Sequence, residues 1–85
     1  MDIKSTVQKY IQQVFLEKGV SQEFSGQKRL ISEGYLDSFE ILSLIEFIER
    51  QFDVHLDSLE ITQENFDTLS NLTALIQSKM DRSHS

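Results

Sequence analysis

The chain predicts an all-α fold: a small four-helix bundle with three longer helices, one short one, and a long loop between the first two. Three observations lead there. Apolar residues recur every three or four positions in three separate stretches, which is the period of a helix face. Proline is absent, so only glycines and capping residues break those stretches. The one alternating run, Phe52 to Leu56, has no second strand to pair with and reads as an extended linker.

The elements follow in chain order. Ile3, Val7, Tyr10, Ile11, Val14 and Phe15 share one face, with Lys4, Gln8, Lys9, Gln12 and Gln13 opposite, which predicts a helix over residues 3–17 that stops near Gly19. Residues 19–37 have no clean period. Gly19, Gly26 and Gly34 punctuate them, while Val20, Phe24, Leu30, Ile31, Tyr35 and Leu36 supply apolar anchors. A connection this long in so small a domain is expected to be an ordered loop across the helices, with a helical turn near Lys28 to Ser32.

The second helix runs from Ser38 to Phe52, with Ile41, Leu44, Ile45, Ile48 and Phe52 as its core stripe, Leu42 at the margin, and Phe39 and Phe47 outside it. Thr62 caps a short third helix through Phe66. Leu69, Leu72, Leu75, Ile76 and Met80 form the face of a fourth, capped by Thr68 or Ser70. The domain is expected to occupy residues 1–80, with 81–85 a frayed, disordered tail.

Composition narrows the function. A chain of 85 residues holds one domain, and without cysteine its fold rests on packing alone. The net charge of −6 argues against binding nucleic acid or anionic membranes and favours basic patches on protein partners. No apolar run has the length of a membrane span and the amphipathic start lacks a leader pattern, so the expectation is a cytoplasmic protein without membrane insertion.

The most informative segment is Gly34-Tyr35-Leu36-Asp37-Ser38-Phe39, a glycine-bearing loop that ends in Asp-Ser as an apolar helix begins. As a nucleophile Ser38 would need a positioned base. His84 lies in the tail, and His55 lies beyond the far end of the helix, about 20 Å away at the helical rise. No catalytic residue is therefore assigned. Nor is a metal site, since Asp53 and Asp57 lack the spacing of a calcium loop. A serine or aspartate at a helix start is most often a simple cap. The same position also suits a covalently bound phosphodiester, which would meet free backbone amides and the positive end of the helix dipole.

Over a longer stretch the chain resembles the acyl carrier protein family, the phosphopantetheine-bearing carriers that include D-alanyl and peptidyl carriers. Leu36-Asp37-Ser38-Phe39 is similar to their attachment motif, and Leu42, Leu44, Ile45, Ile48, Glu49 and Phe52 follow at family-like spacing. Val54, Leu56, Glu64-Asn65-Phe66 and Thr68-Leu69 resemble their later loop and helices, so the similarity covers residues 3–80. The resemblance implies that Ser38 carries 4'-phosphopantetheine, with Asp37 assisting the phosphopantetheinyl transferase that installs it. It also implies that the domain catalyses nothing itself and holds its cargo as a thioester.

The same resemblance makes Phe39, Leu42, Glu46 and Glu49 the contacts for loading enzymes and downstream transferases, combining an apolar anchor with charge steering. In lipid-type carriers cargo folds back between helices, where Leu44, Ile48 and Phe66 would line the space. Ser43 and Arg50 interrupt the acidic face typical of fatty acid carriers, and Phe39 is shared with D-alanyl carriers. A discrete, monomeric acyl carrier in a specialised biosynthetic pathway stands slightly ahead of an aminoacyl, D-alanyl or peptidyl carrier. A cofactor-free helical module docking through Phe39 is the reading from another class.

Overall fold

The computed structural model of the chain describes residues 2–19 and 29–83. Val20, Phe24, Gly26 and Lys28, which the sequence reading placed in the long loop, lie outside them, as do His84 and Ser85 of the tail. Four helices are present: α1 (Ile3–Glu17), α2 (Ser38–Phe52), α3 (Gln63–Asp67) and α4 (Leu69–Ser83), with no strand among the described residues. The fold is the small helical bundle that the sequence predicts. Helices α1, α2 and α3 each pack on α4, and the core gathers between them.

Helix α1 starts at Asp2, whose carboxylate accepts from the Ser5 amide and hydroxyl. It buries Ile3, Val7, Ile11 and Phe15, the a/d-like positions of the predicted face. Lys18 closes it, and Gly19 follows at φ 77°, a backbone conformation glycine adopts without a Cβ clash.

In α2 the buried side chains are Leu44, Ile45, Ile48 and Phe52, with Ile41 half-buried. Phe47 differs from the single-stripe expectation. It is half-buried because its ring stacks on Tyr10 of α1, ring centroids 4.3 Å apart, a contact outside the core stripe of α2. The helix ends at Asp53, a non-glycine residue in the left-handed region at φ 54°.

The linker after α2 is extended, and Val54 and Leu56 turn into the core. Thr62 caps α3 through the Asn65 amide, and Thr68 caps α4 through the Asn71 amide, which settles the choice between Thr68 and Ser70. Leu69, Leu72 and Ile76 are fully buried, and Leu75 and Met80 pack at the core margin.

Helix α4 runs on to Ser83, past Asp81, where the sequence reading began the disordered tail. Two contacts outside the apolar pattern hold those turns: Gln77 donates to Asp81 at 2.9 Å, and Arg82 Nη2 reaches Glu60 Oε2 at 3.1 Å. Truncating a fully buried residue such as Ile48 to alanine costs about 3 kcal/mol, a large part of what a domain this small has to lose.

The approach to α2 is ordered turn by turn. The Glu33 amide donates to the Arg29 carbonyl, Gly34 to Ile31, and Leu36 back to Leu30, with Gly34 at φ 77°. This turn begins at Arg29 within the region where the sequence placed one. Leu30 and Leu36 are buried, so the segment is anchored at both ends before it reaches Ser38.

Candidate functional site

Ser38 is the first helical residue of α2 and is exposed. Its neighbour Asp37 is the cap. The Asp37 carboxylate accepts from the Glu40 amide at 2.8 Å, and Glu40 Oε1 accepts from the Asp37 amide at 2.8 Å, a reciprocal capping box. With Asp37 doing the capping, the Ser38 hydroxyl makes no hydrogen bond among the described residues. The amides of Ser38 and Phe39 likewise have no acceptor among them, as expected for the first turn of a helix. The result is an outward hydroxyl beside two free N–H donors at the positive end of the α2 dipole.

The segment before Ser38 is fastened from two directions. Lys18 Nζ, at the end of α1, donates to the Tyr35 carbonyl at 2.6 Å and to Glu40 Oε1 at 2.8 Å. The Tyr35 ring packs at a tilt on Phe15, centroids 5.4 Å apart. Deeper in, Asp67 at the end of α3 is only 6% exposed and accepts from the Ile31 and Ser32 amides, both at 2.9 Å, and from the Ser32 hydroxyl at 2.6 Å. These bonds, the Ser32 hydroxyl foremost, hold the Asp67 carboxyl below its ordinary 3.8, with Arg29 adding attraction from 3.8 Å. Asp67 also returns its own carbonyl to the Leu30 amide at 2.6 Å.

Around Ser38 the surface is apolar and acidic. Phe39 is 80% exposed and Leu42 58%, and Glu46, Ser43 and Arg50 are exposed on the same helix. Beside Phe39 a shallow groove of about 200 Å³ runs between α1 and α2, lined by Tyr10, Val14, Glu17, Glu40 and Ser43. Tyr10 ionises above its ordinary 10.0, first because it is partly buried and then because Glu17, Glu46 and Glu40 repel the phenolate.

Glu49 stands apart from the other expected contact residues. It is half-buried, accepts from the Leu56 amide at 2.9 Å and lies 3.2 Å from His55 Nδ1, so it also fixes the linker after α2. His55 sits between Glu49 and Asp57, exposed in that linker. Leu44, Ile48 and Phe66 are buried in the core.

Sequence reasoning passed over Lys18, Glu40 and Asp67. Glu40 had a signal, since Asp-x-x-Glu ahead of an apolar run is a capping-box pattern. Lys18 and Asp67 had none, being 17 to 36 positions from the groups they hold.

No protein-family model matches the chain. Curated relatives do. Aminoacyl carrier protein 1 of Bradyrhizobium diazoefficiens is 23% identical over 79 residues, covering 93% of this chain and 87% of that protein. The D-alanyl carrier protein of Lactococcus lactis subsp. cremoris is 36% identical over 52 residues, covering 61% of this chain and 66% of its own length, and that of subsp. lactis matches equally. The names of these relatives support a place in the carrier protein family. The chain has the helical fold and the surface serine described above, and no described helix is long and apolar enough to cross a membrane.

Proposed function

We propose that this carrier holds 4'-phosphopantetheine on Ser38 and serves as an aminoacyl carrier. The observation that carries the reading is the Ser38 hydroxyl at the head of α2, without a hydrogen bond among the described residues and set beside two amides that likewise have no acceptor among them. Those donors and the dipole suit a phosphodiester and do nothing for a serine that is merely a cap. Bound there, the group supplies a thiol at the end of a long arm, to which cargo is joined as a thioester.

The chain's own residues have separate tasks. Asp37 and Glu40 fix the first turn so that the hydroxyl stays outward, and Asp37 is the residue the transferase meets beside the serine. Phe39 and Leu42 offer apolar contact to loading enzymes and downstream transferases, and Glu46 and Glu49 offer charge. In this reading the domain presents cargo, and the enzymes that load and unload it perform the chemistry.

The sequence alone put acyl cargo slightly ahead. The names of the relatives, an aminoacyl carrier and D-alanyl carriers, favour an amino acid instead. Loading assays with an amino-acid-activating and an acyl-activating enzyme separate the two.

The test of the attachment is intact mass after incubation with coenzyme A and a broad-specificity phosphopantetheinyl transferase. Wild type should gain one phosphopantetheine and Ser38→Ala none. No gain by folded wild type, with the transferase active on a control carrier, would overturn the reading in favour of a cofactor-free module docking through Phe39.

A further inference from the structure

Four groups meet around the turn into α2, and one comes from a distant part of the chain. Lys18 is rigidly placed, because its amide bonds to the last carbonyls of α1, those of Val14 and Phe15 at 3.1 and 3.2 Å. Its ammonium then spans the turn. It holds the Tyr35 carbonyl on one side of Asp37-Ser38 and Glu40 Oε1 on the other. Glu40 Oε1 is the same atom that accepts the Asp37 amide, so the charge of Lys18 and the capping box of α2 share one oxygen. The pair is partly shielded, with side chains 31% and 21% exposed, which strengthens it over an ordinary surface pair. Ser38 has no hydrogen bond of its own among the described residues, and this frame fixes the backbone that carries it.

We infer that Lys18 is a positioning residue for modification of Ser38: it holds the Tyr35 carbonyl and the Glu40 carboxylate so that α2 starts in one geometry. The inference rests on the attachment reading above. In that reaction the Ser38 hydroxyl gives up its proton, its oxygen bonds to the phosphorus of the pantetheine phosphate, and the pyrophosphate P–O bond of coenzyme A breaks to release the adenosine bisphosphate. A serine that wanders must be ordered at the transition state, and that cost appears in the rate.

The experiment compares wild type, Lys18→Met, Lys18→Arg and Lys79→Met as full chains. Lys79 pairs with Glu60 at 3.0 Å on α4, so its loss removes a comparable ion pair that does not touch the α2 turn. Two readouts are taken: kcat/KM of the transferase by intact mass, and amide hydrogen exchange at Asp37 and Glu40. Lys18→Met should lower kcat/KM about tenfold, which is about 1.4 kcal/mol at the transition state, and speed exchange at both amides. Lys18→Arg should restore most of the rate, and Lys79→Met should match wild type in both.

Wild-type rate and exchange in Lys18→Met, with wild type itself modified, overturns the inference and leaves the attachment reading intact. A fall in Lys79→Met equal to that in Lys18→Met also overturns it, because the effect would then be one of general stability. Failure of wild type to be modified sinks the attachment reading and the inference with it. Should Lys18→Met not fold, Glu40→Gln takes its place. It keeps an acceptor for the Asp37 amide and loses the charge that holds Lys18, and the same tenfold fall is expected.

Discussion

Two carboxylates organise the approach to Ser38, and they do so in opposite surroundings. Asp67 is buried and accepts three hydrogen bonds from Ile31 and Ser32, which pins the middle of the connection to the end of α3. Glu40 is more open to solvent, its side chain 21% exposed, and joins the Asp37 amide to Lys18. A carboxylate that gathers three donors is costly to remove, because all three must find new acceptors at once. A surface carboxylate is partly replaced by water when lost. The comparison teaches that the connection has a stability clamp and a presentation clasp, and that the two can be broken separately.

The largest effect should come from Asp67→Ala. Two amides and a hydroxyl lose their acceptor, which is expected to cost about 3 kcal/mol and to lower the thermal midpoint by about 15 °C, read by circular dichroism. The folded fraction should still accept phosphopantetheine at nearly the wild-type rate. A rate loss larger than the unfolded fraction explains would merge clamp and clasp into one device.

Lowering the pH should weaken the clamp. The folded pKa of Asp67 is lowered from 3.8 and that of Glu60 from 4.5, the latter chiefly by the Asp57 amide and then by Lys79 and Arg82. A lowered folded pKa gives stability that is full above the unfolded value and is lost as pH falls through that value toward the folded one. Urea midpoints should therefore hold from pH 7 to about 5 and drop toward pH 3. In Asp67→Ala the drop should be shallower, so the gap from wild type narrows in acid. A gap that stays constant would mean that the Asp67 charge contributes nothing.

A double-mutant cycle sharpens the contrast. Lys18→Met and Glu40→Gln should couple by about 1 kcal/mol, while Lys18→Met and Asp67→Ala should add independently. Chemical denaturation of the single and double variants measures both. Sizeable coupling in the second pair would show the two devices to be linked through residues 31–36.

The smallest effect is expected at the far end of α2. Asp53 holds a left-handed conformation at φ 54°, so Asp53→Gly should stabilise by about 0.5 kcal/mol, and the transferase rate should not change. A changed rate would mean that α2 transmits strain along its length, and presentation would no longer be a property of the first turn.

Much of this carrier was legible in its sequence. The face of α1, its stop at Gly19, the start of α2 at Ser38 and the Thr62 cap all depend on residues within a few positions of one another, and helix periodicity and capping are local physics. The exposed Ser38-Phe39 corner was legible for the same reason, since a helix start fixes which groups are left free.

What the sequence could not supply were contacts between distant segments. Phe47 on Tyr10, Glu49 on Leu56, Arg82 on Glu60, Asp67 on Ser32 and Lys18 on Glu40 depend on which helix faces meet and at what angle. Periodicity says that a face is apolar and leaves its neighbour open. The sequence by itself determined four helices, their caps and a serine at the head of the second. Only the tertiary structure decided which charged side chain reaches that serine's turn, because a lysine and a glutamate 22 positions apart become partners only once packing has brought the end of α1 beside the start of α2.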